Sequence, residues 1–493
     1  MEIFGNEISK KDLKKAQKSQ RKFIRKFGDD RNTIYHLSLE NNEILDKSLG
    51  VKNIVIKENP EASFENQLKA LPGKPIIIGN IRMGFGHYRI SMAMASASKS
   101  LGFTPLWLDL NSFPQTTCTK IISYQNNLYS TGSRLSQKSK LFNKFFWEPM
   151  NYEGFKKLSY NVGDQLNSEL MTSIFKEIPK DIPFIATHVW PAQAAIHAGM
   201  KNVINAIPDN WPMALHLAEG SIHTVQTYNS YFGYKTLHDF VKGKILKPIP
   251  DTEILYTGHY IDDELVSNIE EDCKKRIERA NSGKPVRFLL TIGGAGAQGE
   301  FFASIIKTLI PYIKEKKACL YMNCGDYLNV WENLKKAIPE FNDEKLCTTH
   351  FNNWEEETNF ANKALSLENE LSSYGIHAFC NENIFAAVYI TNLLMRASDV
   401  LVTKPSELAF YPIPKLFIRR VGGHEMWGAI HSAEIGDGTQ ECDTPKFACS
   451  IVKQMLENPN YISNMCNSII INNKNKIYDG AYKVINTAVM EKK

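Results

Sequence analysis

The chain has 493 residues, 43% of them hydrophobic and 23% charged, with a net charge of +5. That is material for two large cores with appendages, and it excludes a small single-core module. The longest apolar stretch, Ile384 to Met395, contains Thr391 and Asn392 and is too short to span a bilayer, and the charged N-terminus lacks the apolar segment of a signal peptide. The nine cysteines are scattered without a CxxC pair or a Cys/His zinc spacing, so reduced thiols in a cytoplasmic protein, and no metal site, are expected.

Residues 1–30 carry nine basic side chains against five acidic ones, a net of +4, with Leu13, Ala16, Phe23, Ile24 and Phe27 near one helical face. Such a helix either lies on anionic lipid or docks on its own domain with a solvated basic face; the thin apolar stripe favours docking. No later basic run is interleaved with aromatic residues, so nucleic acid is not an expected partner. Lys52 to Lys57 reads as a short strand and Ser63 to Leu71 as a helix.

Alternation then begins. Pro75-Ile-Ile-Ile-Gly79 is a buried strand leading through Met83-Gly84-Phe85-Gly86-His87-Tyr88-Arg89 into a helix from Ser91 to Leu101. Further strands are expected at Thr104–Asp109, Ile182–Thr187, Asn202–Ile207, His223–Gln226 and Glu253–Tyr256, with a mostly helical polar stretch over 111–180. A charged segment from Asp262 to Lys284 reads as an interdomain connection. A second series follows, with strands at Phe288–Ile292, Ala318–Asn323, His377–Cys380, Asp399–Thr403 and Lys415–Arg419 and a polar insertion from Asn352 to Asn369. The expected layout is an extension over 1–72, α/β domains over 73–283 and 284–450, and a helical tail over 451–493. Two alternating series imply parallel sheets in two Rossmann-like domains.

Two glycine-rich turns mark where ligands approach. The first is the one ending in His87; the second, Gly293-Gly294-Ala295-Gly296-Ala297-Gln298-Gly299, follows Val286–Ile292 and precedes a helical pattern from Phe301 to Ile313. Glycine between a strand and a helix lets a ligand reach the backbone, and a helix N-terminus favours anions. Gly294-Ala-Gly296-Ala-Gln-Gly299 is also a literal G-x-G-x-x-G, with Asp326 past the next strand, so an NAD-dependent oxidoreductase is one reading. It leaves unexplained a cluster near residue 404: the strand Asp399–Thr403, then Lys404-Pro405-Ser406-Glu407, a strand at Ile413–Ile418, then Gly422-Gly423-His424-Glu425.

This layout resembles the nucleotide-sugar half of glycosyltransferases with the two-Rossmann B fold, in particular the group containing galactolipid (monogalactosyldiacylglycerol) synthases and the N-acetylglucosaminyltransferase of peptidoglycan synthesis. The likeness spans most of residues 75–440 and rests on Gly84-Phe-Gly86-His87 with Arg89 and Ser91, Thr187-His188, Pro208-Asp209-Asn210, Tyr256-Thr-Gly258, the Gly293 turn and Glu407, seven residues before Pro414. The resemblance implies two Rossmann-like domains facing across a cleft. It also implies a nucleotide-diphosphate sugar as co-substrate without other cofactor, and an acceptor hydroxyl, with membrane lipid among the acceptors and the inner face of a membrane as the workplace. Donor binding falls to Gly293, Gly294, Gly296, Lys404, Ser406, Glu407, Gly423, His424 and Glu425; Gly84, Gly86 and Arg89 lie on the acceptor or phosphate side; His87, with Asp209 as second candidate, is the general base.

The chain departs from the group at Lys404-Pro405-Ser406, where a longer turn with glycines is expected, so Lys404 would have to supply charge in place of a backbone cradle. Simpler roles stand beside these. His87 could cap or pack, Glu407 could be a helix-start acid and Asp209 a turn former, while His197, His216 and His431 read as core or surface residues. No Asp-x-Asp occurs, so metal is not needed; in this fold basic groups and helix dipoles hold the diphosphate. A non-catalytic descendant of the fold that only binds a ligand is the third reading.

Overall fold

The structure, a computed structural model, describes residues 1–292, 298–366 and 374–490. A small antiparallel pair, β1 (Glu2–Ile3) and β2 (Asn6–Glu7), precedes the helix Lys10–Phe27. The first sheet comprises β3 (Leu37–Asn41), β4 (Lys52–Ile56), β5 (Pro75–Asn80), β6 (Thr104–Asp109), β7 (Phe184–Ala186), β8 (Val203–Ala206), β9 (Ile222–Val225) and β10 (Ile254–Tyr256). Its order is β10-β9-β8-β7-β5-β6-β4-β3, parallel except that β3 runs antiparallel to β4 at the edge. The second sheet comprises β11 (Val286–Thr291), β12 (Ala318–Asn323), β13 (Cys347–Phe351), β14 (Ile376–Cys380), β15 (Val400–Thr403), β16 (Lys415–Ile418) and β17 (Gly438–Cys442). Its order is β13-β14-β12-β11-β15-β16-β17, with every pairing parallel. Both are the doubly wound α/β sheets expected of Rossmann-like domains.

Central strands such as β5, β6, β11 and β12 are buried almost throughout, because crossover helices cover both faces of a parallel sheet; this is why they read as continuous apolar runs without alternation. β5 pairs with β6 on one side (Asn80↔Asp109) and with β7 on the other (Gly79↔Ala186). β11 likewise sits between β12 (Thr291↔Asn323) and β15 (Leu290↔Val402). Each sheet therefore has a switch point where successive crossovers leave in opposite directions, and ligands of open α/β sheets bind beyond the carboxyl ends of the strands there.

The chain divides into two compact units, one of residues 1–263, 422–424 and 479–493 and one of residues 264–421 and 425–478. This corrects the expected layout in three places. The extension over 1–72 is part of the first unit: β3 and β4 extend its sheet, while Phe23, Ile24 and Phe27 of the Lys10–Phe27 helix pack on one core cluster and Ala16 and Leu13 on another. The division falls between Asp263 and Glu264, not at 283/284, because the charged helix Ile269–Asn281 packs inside the second unit; Arg276 Nε donates to the Ser398 carbonyl at 2.8 Å and Arg279 Nε to Asp399 at 2.9 Å. The tail over 451–493 is split: Asn460–Lys474 packs in the second unit, while Gly480–Val489 belongs to the first. Gly480 permits this, since a Cβ there would stand 2.2 Å from the Gly258 carbonyl oxygen.

The polar segment expected as an insertion over Asn352–Asn369 contains instead the helix Trp354–Leu365, with Phe360, Ala361 and Ala364 buried, in the crossover from β13 to β14. β13 escaped the sequence reading because Cys347-Thr-Thr-His-Phe351 is an edge strand whose two threonines face solvent.

Candidate functional site

At the switch point of the first sheet, the turn after β5 needs Gly84 for its positive φ of 73°, while a Cβ there would meet nothing within 4 Å. The helix Gly86–Ser100 begins directly after it, carrying His87 in its first turn and burying Arg89 at 2% exposure. His87 Nδ1 lies 2.7 Å from the Thr187 carbonyl oxygen at the end of β7. A carbonyl only accepts, so Nδ1 donates, and in the neutral ring Nε2 is the acceptor nitrogen. Thr187 is itself held by a 2.8 Å hydrogen bond between its hydroxyl and that of Ser91. His188 stands edge-on to the His87 ring at 4.8 Å between centroids and caps the helix Val189–His197, accepting the Trp190 N–H at Nδ1 over 3.1 Å. Burial, with His87 and His216 nearby, holds His188 far below the ordinary histidine range, so it is neutral.

The turn after β8 brings Asp209 to the same end of the sheet. Its Oδ2 accepts from His216 Nε2 at 3.0 Å, and its Oδ1 lies 4.0 Å from Nε2 of His424, in the short 422–424 segment that groups with this unit. Burial pushes this carboxyl upward, but the His216 hydrogen bond and the His424, His216 and His87 imidazoles outweigh it and hold the group well below the usual carboxylate range. A carboxylate so depressed is a weak base. Its part here is to accept from His216 and orient that ring. His216, read from sequence as core or surface, is buried and belongs to this cluster; an aspartate seven residues away was the only available signal. Asn80, at the end of β5, was also missed: its amide is buried and neither Nδ2 nor Oδ1 has a hydrogen-bond partner.

In the second unit, Gly293, Gly294 and Gly296 lie outside the described residues. Thr291, which ends β11, is buried with its hydroxyl unpartnered. After β15, Lys404 Nζ donates to Glu425 Oε1, and the Val421 N–H donates to Glu425 Oε2 at 2.7 Å. Glu425 is thereby engaged at both oxygens by its own chain and acts as the counter-ion that positions Lys404. Ser406 and Glu407 follow, Glu407 half-buried at the start of the short 3-10 turn Glu407–Phe410. Helix Met426–Glu434 approaches this turn closely, since a Cβ at Gly428 would lie 2.8 Å from the Pro405 carbonyl oxygen. Gly423 and His424 fall with the first unit, apart from Lys404, Ser406 and Glu407 in the second. Asp326 lies just beyond β12, beside β11 in the sheet.

Among the described residues no group of three or more His, Cys, Asp or Glu side chains could hold a metal ion, and no helix is long and apolar enough to cross a membrane. Several solved structures are similar in overall fold. A UDP-GlcNAc 2-epimerase from Neisseria meningitidis is 14% identical, over 84% of this chain and 99% of its own, with a TM-score of 0.39. An alpha,alpha-trehalose-phosphate synthase from Burkholderia xenovorans is 10% identical over 84% and 98%, with a TM-score of 0.44. A glycosyltransferase from Rickettsia africae is 12% identical over 84% and 97%, with a TM-score of 0.38. No curated protein matches the sequence. Residues 2–236 match a domain of unknown function, DUF6937, and residues 249–489 match a second, DUF6938.

Proposed function

We propose that this protein is a glycosyltransferase that moves a sugar from a nucleotide-diphosphate sugar to an acceptor hydroxyl. The observation that carries the reading is His87 at the switch point of the first sheet, its Nδ1 committed to the Thr187 carbonyl and its Nε2 thereby an acceptor. In the reaction the acceptor oxygen attacks the anomeric carbon, the bond from that carbon to the diphosphate oxygen breaks, and the acceptor proton passes to His87 Nε2. The Asp209 carboxylate, held by His216, supports the imidazolium electrostatically. On the second unit, Lys404 faces the developing diphosphate charge with Glu425 as its counter-ion, and Glu407 accepts the ribose hydroxyls. From its sequence, the Gly293 turn is assigned to the donor as well. The resemblance to galactolipid synthases and the peptidoglycan N-acetylglucosaminyltransferase supports a lipid acceptor, and helix dipoles with basic groups make metal unnecessary.

A thermal-shift screen of nucleotides and nucleotide sugars tests the donor class, because a ligand at about 100 times its dissociation constant adds about 2.7 kcal/mol. No shift with any sugar nucleotide would remove the reading. The position of Asp326 just after β12, the strand that pairs with β11, favours a second reading, an NAD enzyme, which nicotinamide fluorescence on titration separates from the first. Sugar-nucleotide binding without turnover would identify a binding-only descendant.

A further inference from the structure

Of the large hydrophobic side chains exposed among the described residues, six fall within one short stretch: Leu128, Leu135, Leu141, Phe145, Phe146 and Met150. Leu141, Phe145 and Phe146 are 71%, 62% and 68% exposed, which for such side chains leaves most of their transfer energy unrealised. Scattered exposed hydrophobics need no explanation; a concentration of them does.

The stretch is built to present them. Helix Thr117–Lys138 is followed by Lys140–Phe142 and by π-helical turns at Asn143–Trp147 and Met150–Gly154. Trp147 is 3% exposed and packs against the helix at Gly132, where a Cβ would lie 2.4 Å from the indole ring; Tyr129 flanks it with ring centroids 5.0 Å apart. With Trp147 fixed inward, its neighbours Phe145 and Phe146 are held outward. The stretch is net basic in sequence. Between Leu128 and Met150 the sequence carries Arg134, Lys138, Lys140 and Lys144 against Glu148 alone, a net of four minus one, or +3. Lys144 is exposed, with its ammonium 5.7 Å from the centroid of the Phe145 ring.

We propose that this helical excursion is a docking surface for a bilayer rich in anionic lipid, with Leu141, Phe145 and Phe146 entering the headgroup–acyl boundary and Lys144 resting on the phosphates. Positive charge interleaved with bulky apolar side chains is the composition of an interfacial helix and complements an anionic surface. The other basic helix, Lys10–Phe27, does not have this form, because its apolar face is taken up by the core.

The test is flotation of the full chain with phosphatidylcholine vesicles containing a quarter phosphatidylglycerol, and with pure phosphatidylcholine. The wild type should float with the anionic vesicles and at least about tenfold less with the neutral ones. The triple variant Leu141→Ser, Phe145→Ser, Phe146→Ser should lose at least about tenfold in partitioning while keeping its circular dichroism and melting temperature. Charge reversal by Lys140→Glu with Lys144→Glu, which removes no apolar group, should weaken binding to anionic vesicles and abolish its lipid-charge dependence. Wild type that stays unbound, or binding undiminished in both variants, overturns the proposal. So does a wild-type dimer that the triple variant converts to monomer without any vesicle binding, since the patch would then join two copies of the chain.

Discussion

Beyond the carboxyl ends of the first sheet stand His87, His188, Asp209 and His216, whereas beyond those of the second stand Lys404, Glu407 and Glu425. The first set consists of imidazoles around one carboxylate, groups whose charge changes near neutral pH unless burial prevents it. The second holds a lysine bonded to a carboxylate, with Glu407 close by in sequence. Two sheets of like topology therefore end in different side chains: imidazoles around a carboxylate on one, a lysine–carboxylate pair on the other. Folds of this kind carry their specificity in the loops at the strand ends, so the difference lies in the turns and not in the sheets.

The largest effect that bears on this comparison is expected from His87→Ala. Loss of a positioned base should lower turnover by about 100- to 10,000-fold while donor affinity stays within about twofold. Steady-state kinetics with the best donor from the screen, alongside its dissociation constant, separate the two. Nearly full activity would move the proton-accepting role elsewhere. His216→Ala is then the next variant, because Asp209 is too weak a base to stand in.

Glu407→Ala should act on the other side, weakening sugar-nucleotide binding by about 10- to 150-fold, the worth of charge-assisted hydrogen bonds to two ribose hydroxyls. Ligand-free stability should change by less than about 1 kcal/mol. Isothermal titration reads the first and chemical denaturation the second; a stability loss with unchanged affinity would reduce Glu407 to a helix-start acid.

Lys404→Ala should do both. It removes the diphosphate's cation and leaves the 7%-exposed Glu425 carboxylate without its counter-ion, a loss of about 1–3 kcal/mol after allowing for the partial exposure of Lys404. Restored stability in Lys404→Ala with Glu425→Gln, without restored donor affinity, would separate the structural share from the binding share.

The smallest effect concerns acid. Burial pushes His223 down from 6.5 to about 4 in the first unit and His377 to about 3 in the second, the latter with help from His350. Between pH 6.5 and about 4 the unfolded chain takes up protons that these folded sites refuse, so stability must fall as pH is lowered through that window. Each site contributes on the order of 1–3 kcal/mol. Melting temperatures from pH 7 to pH 4 should decline steadily; a flat profile would mean that these histidines are protonated in the native state.

Much of this molecule was legible before its structure. The buried strands announced themselves as Val/Ile/Leu runs, because parallel strands are covered on both faces, and the turns ending in His87 and near Glu407 stand where the sheets end. What sequence alone determined was local: strand identity from apolar runs, helix entry at Gly84–His87, and the basic character of residues 1–30. Tertiary structure decided the partnerships. His216 meets Asp209, and Thr187 orients His87, because parallel strands far apart in sequence end side by side. The edge strand Cys347–Phe351 and the helix Trp354–Leu365 were unreadable, since an edge position tolerates polar residues and their pattern matches that of a loop. The basic segment over residues 1–30 was ambiguous in one dimension, and the basic, aromatic stretch over residues 134–146 was passed over. Phe23, Ile24 and Phe27 are absorbed into a core, while Leu141, Phe145 and Phe146 face outward beside a Trp147 that packs inward at Gly132.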